Sequence, residues 1–373
     1  MAAEFSEARG AFSYLSSGTA QQRAGQQKLN QKEGKDMRKF LTVSLTIVLV
    51  FLFSSADFCQ GQVIKWRAQS GFARGDFSAD LMPTFVKEVA EKSKGRLIIS
   101  HHYAGDLVPA DDTLKGTTQG IIEMSQSCGV LWSDVEPVLG LQFGVPFAFK
   151  GTLKEVENMV NTAGLYKLWE EAYARQNCQL LGVHTYGPYP ALASNKPIRK
   201  IEDFKGLKVR AILSIAGLMK ELGAAPGYIP GGEIYMALKL GTYDAATYSI
   251  DAIRGFKWHE VIKYYILPYW VDWYFGDIVV NKDAWNKLPD DLKKVLKDAM
   301  VNFGNVNKEV YEKELNIVTS QAKQLGYEVI TLPDADVAKM RQIAIDKVWP
   351  TVAKQNADCA KAVEGFKKYH KVN

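Results

Sequence analysis

The chain has 373 residues, of which 47% are hydrophobic and 23% charged, and its formal net charge is +5. That length holds one large domain or two modest ones, and the composition excludes a disordered or fibrous chain. The near-balanced charge, with no basic run interleaved with aromatics, leaves no case for a nucleic-acid partner.

Residues 1–36 are polar and rich in Gln and Ser, and read as an upstream extension or a disordered tail. Met37-Arg38-Lys39 is a short positive start, residues 40–53 are a largely apolar run, and Ser54-Ser55-Ala56 offers small residues for cleavage. Residues 37–61 therefore read as a signal peptide. The run falls short of the ~20 residues that a membrane span needs. Cys59 follows Ala56-Asp57-Phe58, which lacks the small-residue pattern of lipoprotein processing.

Residues 63–69 alternate as a strand, and Ser70 to Gly75 form a glycine-bearing loop. Asp76 is placed to cap a helix with Phe77, Leu81, Phe85 and Val89 on one face, closed by Lys92, Lys94 and Gly95. Residues 96–100 follow as a strand, completing a parallel, right-handed βαβ unit. Residues 111–120 are predicted helical, 121–125 a strand, and 126–133 a loop at its far end. Thr152 and Glu155 form a capping box that opens one helix running to about Gln176. Residues 180–185 return as a strand that empties into 186–190.

In the second half, 207–210 is a strand, 216–222 and 232–240 are helices, and 245–248 is a strand. Residues 278–281 are predicted to return as a strand to the first sheet. From Pro289 a helical run extends nearly to Leu325, with Leu292, Val295, Leu296, Phe303, Val306 and Val310 inward. Gly304 is a candidate kink. So long a helix is expected to brace two lobes. The alternation of strands and helices indicates an α/β protein.

The cysteines are Cys59, Cys128, Cys178 and Cys359. Cleavage after Gly61 would leave an odd number, and no pair has metal-like spacing. Buried free thiols with at most one bridge are expected. No Gly-x-Ser-x-Gly elbow, P-loop, His-Glu-x-x-His or dinucleotide fingerprint is present. His101 and His102 are adjacent on one strand, point to opposite faces and do not share a metal. No catalytic residue, metal or cofactor is expected.

Arg210 ends the strand of Phe204-Lys-Gly-Leu-Lys-Val-Arg210. Strand ends are where α/β proteins place ligand contacts, and a guanidinium there offers a planar fork for a carboxylate. Phe72, Trp132, Tyr186, Tyr189, Tyr248, Trp270, Trp273 and Tyr274 all fall in predicted loops or strand ends. Such rings give flat walls suited to an aromatic or apolar body.

The same stretch resembles the DctP-type solute-binding proteins of tripartite ATP-independent periplasmic (TRAP) transporters. Lys-Gly-Leu-Lys-Val-Arg210 looks like the family's most characteristic phrase, and its arginine the carboxylate-binding residue. Ala104-Gly-Asp-Leu107, Leu141 to Phe149 with Val-Pro-Phe, Glu233-Ile-Tyr-Met-Ala-Leu and Leu240-Gly-Thr-Tyr-Asp244 follow the family order over residues 62–373.

The resemblance implies a two-lobed periplasmic binding protein with crossing strands and a long helix bracing both lobes. Lobe I is expected over 62–187 plus 276–315, and lobe II over 188–275 plus 316–373. Hinges are expected near Thr185 to Tyr189 and Trp273 to Asp277. It further implies a monomer in the periplasm that passes a small-molecule carboxylate to the transporter's membrane subunits.

Many members carry a second arginine or a glutamine where this chain has Tyr189-Pro190, and an asparagine where it has Ala-Ala-Thr-Tyr248. Members that bind through a metal place a carboxylate near Thr247, and none is present here. The expected ligand-binding set is Arg210, Tyr189, Tyr248, Trp273, Phe72, Trp132, Tyr186 and Thr247. An aromatic or apolar organic acid is the expected ligand. The alternatives are a small keto or hydroxy acid, a zwitterionic solute, or a ligand sensor for a receptor kinase.

Overall fold

The computed structural model describes residues 62–372, and the expected tail, signal peptide and Cys59 lie outside them. The strands are β1 (Ile64–Ser70), β2 (Leu97–His102), β3 (Met124–Ser127), β4 (Cys178–Thr185), β5 (Ala191–Ser194) and β6 (Lys208–Arg210). They continue as β7 (Ala225–Gly227), β8 (Ala245–Tyr248), β9 (Tyr264–Leu267), β10 (Phe275–Asn281) and β11 (Glu328–Thr331). They form two sheets, with orders β2-β1-β3-β10-β4 and β11-β9-β5-β8-β6-β7.

In the first sheet β1 runs parallel to β2 and β3, and β10 returns antiparallel between β3 and β4. The helix α1 (Phe77–Lys92) connects β1 to β2. Phe85 and Val89 are buried as expected, while Ser78 and Met82 take the buried places expected of Phe77 and Leu81. Phe85 meets Phe303 edge to face at 5.7 Å, while Phe77 turns instead toward Tyr311.

Two expected spans shift for identifiable reasons. The strand expected at 121 begins at Met124, because the amides of Ile121 and Ile122 bond back to Gly116 O beyond the left-handed Gly120. The helix opened by the Thr152 capping box ends at Thr162, so α2 is Leu153–Thr162 and α3 is Leu165–Arg175. Gly164 between them sits at φ +71°, a conformation that glycine adopts without strain. The helix after Pro289 is α4 (Asp290–Ser320), which passes through Gly304 unbroken.

Helix α4 explains how one element serves both sheets. Leu292, Leu296 and Phe303 pack with Trp66, Met124 and Ile278 over the first sheet. Further along, its inward residues turn polar: Asn307, Tyr311 and Glu314 are buried, whereas Val306 and Val310 are only half-buried. Tyr311 Oη donates to Asp251 at 3.1 Å, and Glu314 pairs with Arg254 at 2.8 Å. Val318 belongs to the core shared with the second sheet.

Besides α4, which leads from β10 to β11, two segments carry the chain between sheets, residues 186–190 and 268–274, and they bond to each other. Tyr189 N donates to Val271 O at 2.7 Å, Val271 N returns to Tyr189 O at 2.8 Å, and Tyr186 N donates to Tyr274 O at 3.0 Å. The last helix, α5 (Ala357–His370), packs Phe366 on Phe149 at 5.6 Å. Cys128, Cys178 and Cys359 are buried free thiols.

One buried acid makes a stability prediction. Asp277, central in β10 and fully buried, accepts a hydrogen bond from Tyr173 Oη, and burial pushes its carboxyl up to about 6. A raised pKa means that the native state holds the proton more firmly than the unfolded chain. The stability contribution is complete below the unfolded carboxyl range and is lost as pH rises through about 6. Asp277→Asn is therefore expected to stabilise the protein at pH 8 by on the order of 2 kcal/mol. That gain should vanish near pH 3.5 in urea melts at the two pH values. A pH-independent difference would contradict this account.

Candidate functional site

The ends of β1, β3, β4, β6 and β8 empty toward one another, and the side chains there enclose a cavity of about 520 Å³. Ends of parallel strands are the usual binding crevice of α/β sheets. Gly71 and Phe72 follow β1, Cys128 follows β3, Tyr186 and Tyr189 follow β4, Arg210 closes β6 and Tyr248 closes β8.

Arg210 is only 4% exposed. Its Nε donates to Ile229 O at 3.2 Å and its Nη1 to Thr247 O at 2.9 Å. These occupy two of the five N–H groups of a guanidinium. The rings of Tyr228 and Tyr248 flank the group, with centroids 5.3 and 5.6 Å from Cζ. Among the described residues no Asp or Glu is ion-paired with it, and it is the sole cation among those that line the cavity.

Aromatic rings form most of the wall. Tyr186 and Tyr274 stack with centroids 5.1 Å apart and planes within 8°, and Phe143 abuts Tyr274 at 4.2 Å and Tyr189 at 5.0 Å. Phe72 meets Tyr186 edge-on at 5.8 Å. Tyr186 Oη accepts from Gln126 Nε2 at 2.9 Å, so the phenol is held by the first sheet. Asp111 and Asp134 stand exposed at the rim, and Tyr228 Oη donates to Asp111 Oδ1 at 3.3 Å.

A second buried acid, Asp76, lines the cavity from the N-terminus of α1. Burial, reinforced by the neighbouring Asp251 carboxyl, pushes it well above the usual carboxylate range. Asp251 is raised too by burial, but Ser249 Oγ, Phe77 N and Tyr311 Oη all donate to it and oppose that rise.

Of the residues singled out in the sequence, Phe72, Tyr186, Tyr189, Arg210, Tyr248 and Tyr274 line the cavity together. Thr247 does not. It lies behind them, donating Oγ1 to Arg210 O at 3.1 Å and meeting Tyr189 Oη at 3.1 Å, and so fixes both. Trp132 is packed into the core, and Trp273 turns away to donate Nε1 to Gly151 O at 3.1 Å. Neither reaches the cavity. Trp270 is also core. Phe143, Tyr228 and the cavity-facing side of Asp76 were not anticipated. Asp76 carried a cap signal alone, and Tyr228 follows a strand too short for its pattern to stand out.

Comparison with known proteins gives this arrangement a family. Residues 74–356 match the sequence family described as bacterial extracellular solute-binding protein, family 7, or DctP. A monocarboxylate 2-oxoacid-binding periplasmic protein of Nostoc sp. is 29% identical over 245 residues, which span 64% of this chain and 65% of that protein. A TRAP periplasmic solute-binding protein of Chromohalobacter salexigens, solved with (S)-(+)-2-amino-1-propanol, superposes with a TM-score of 0.75. Its identity is 23%, over 83% of this chain and 96% of that one. The corresponding protein of Pseudoalteromonas atlantica, solved with sodium and pyruvate, gives a TM-score of 0.73 at 24% identity, covering 83% and 94%. The solved neighbours share the two-lobed α/β fold. With the family match running through both sheets, the long helix and the arginine that closes β6, the chain belongs to the DctP family of bacterial extracellular solute-binding proteins.

Proposed function

We propose that this protein captures an organic monocarboxylate with an apolar or aromatic body in the periplasm and delivers it to the membrane subunits of a TRAP transporter. The carrying observation is Arg210, a buried guanidinium without an acidic partner among the described residues, set in an aromatic-walled cavity of about 520 Å³. A buried unpaired charge is costly, and a ligand carboxylate removes that cost by pairing with the free side of the fork. A single lining cation balances a single carboxylate. A second one would enter unpaired beside Asp76. The name of the Nostoc relative and the pyruvate held by the Pseudoalteromonas protein agree with this class.

The division into lobe I (62–187 plus 276–315) and lobe II (188–275 plus 316–373) is part of the same proposal. The crossing segments at 185–189 and 273–277 act as hinges whose rotation encloses the ligand and excludes water from the ion pair. The working unit is a monomer, and its activity is capture and release without bond chemistry. Calorimetry with pentanoate, phenylpyruvate and succinate tests the class. The monocarboxylates are expected to bind at least tenfold more tightly than succinate, about 1.4 kcal/mol. Tighter binding of succinate would sink the single-carboxylate reading.

A further inference from the structure

Asp76 caps α1 by accepting from Ala79 N at 2.9 Å on Oδ1. A cap needs one oxygen, and serine or asparagine supplies it without a charge. Here the capping residue is an acid, 1% exposed, set against a second buried acid, and lining the ligand cavity. Asp251 spends both oxygens inside the protein, Oδ1 on Ser249 Oγ and Oδ2 on Phe77 N and Tyr311 Oη at 3.0 and 3.1 Å. Among the described residues, no cation is ion-paired with either acid. Burying two adjacent acids burdens the fold, and a neutral cap would avoid it. Such a burden is retained where the extra group serves a ligand.

We propose that Asp76 is the second polar anchor of the ligand, hydrogen-bonding an uncharged hydroxyl or keto oxygen of the monocarboxylate held at Arg210. This assignment rests on the carboxylate reading and deepens it. Asp251, with three donors, holds the negative charge, and Asp76 beside it keeps a proton. The charges that bear on Asp76 are the acids Asp251 and, on its own helix, Asp80, while Cys128 and the phenols of Tyr186, Tyr248, Tyr274 and Tyr311 stand near it uncharged. Across the cavity Arg210 is the lining cation that would draw the proton away, and the ligand carboxylate neutralises it. A carboxylic O–H donates to a keto or hydroxyl oxygen, gives a second carboxylate no countercharge, and would lose its proton to the field of an ammonium group.

The test is calorimetry with pentanoate and its 2-oxo, 2-hydroxy, 4-oxo and 5-hydroxy derivatives on the wild-type protein and on Asp76→Ser and Asp76→Asn. Serine keeps the cap and is too short to reach the ligand. The wild type is expected to prefer at least one oxygenated derivative over pentanoate by about tenfold. In Asp76→Ser that preference should fall to within about threefold of unity, through a larger loss for the oxygenated acid than for pentanoate, and the thermal midpoint should equal or exceed that of the wild type. Asp76→Asn, which keeps both the cap and a donor, should retain the preference. Repeating the wild-type titration in buffers of different ionisation enthalpy should show no net proton exchange.

A preference that survives in Asp76→Ser, or is absent from the wild type, overturns the assignment while leaving Arg210 untouched. Release of one proton per ligand overturns it in favour of an ammonium contact. If the serine variant is unfolded, the proton count and the asparagine variant decide. Failure of all five acids to bind the wild type overturns the carboxylate reading itself.

Discussion

Arg210→Ala is expected to weaken monocarboxylate binding by roughly 3–5 kcal/mol, a loss of more than a hundredfold. The size follows from burial. Arg210 is 4% exposed, and the cavity offers no other cation among its described lining residues to take over the ligand's charge. A ligand carboxylate would enter a wall of tyrosines and phenylalanines unpaired. Arg210→Lys keeps the charge but loses the fork, and also the bonds to Ile229 O and Thr247 O that aim it. It should recover only part of the affinity. The empty protein should behave differently. Removing a buried cation that has no acidic partner relieves a desolvation cost, so the ligand-free thermal midpoint should hold within a few degrees. Affinity lost with stability kept is the signature, read by calorimetry and thermal unfolding. A dissociation constant within threefold of wild type would remove the clamp.

The arginine was legible because two local signals coincide on it: a short apolar strand ends there, and the phrase around it resembles a family motif. The tyrosines at 186, 189 and 248 and Phe72 were legible for a weaker reason, since each stands just where a predicted strand empties. The same rule misplaced Trp132 and Trp273. An indole at a strand end is as well served by the core or by a backbone carbonyl, as with Trp273 Nε1 on Gly151 O, and nothing in the local pattern separates these fates. Tyr228, Phe143 and the second role of Asp76 come from convergence of distant segments, which no periodicity encodes.

For the fold, long amphipathic patterns such as α4 survived, while the four-residue or shorter strands β5, β7, β9 and β11 were not foreseen. Such short runs hold too few alternations for periodicity alone to separate them from loop, although β3, β6 and β8, which are no longer, were foreseen. The site's polar half was missed for a related reason. The inward face of α4 beyond Phe303 reads as an interrupted apolar stripe, yet Tyr311 and Glu314 there are buried because they answer Asp251 and Arg254.

Gly255→Ala should be the most disruptive single methyl in the protein's second half. A Cβ at Gly255 would stand 2.0 Å from Gly75 O and 2.9 Å from Asp251 O, both backbone atoms that cannot swing aside. Gly75 belongs to the loop that presents Phe72 and Asp76, and Gly255 follows the turn that carries Asp251. Relief therefore requires the β1–α1 loop to separate from the 250–256 segment, breaking the Phe77 N to Asp251 bond and opening the cavity wall. Overpacking against fixed backbone lies at the severe end of single substitutions, about 4 kcal/mol. A lower thermal midpoint and weaker monocarboxylate binding should appear together, because the same displacement causes both. Gly232→Ala is the matched control, since a Cβ there meets nothing within 4 Å and the residue lies outside the cavity lining. Equal behaviour of the two variants would mean that the close approach of Gly75 and Gly255 yields without cost. The joint between the two segments would then not be what holds Asp76 in place.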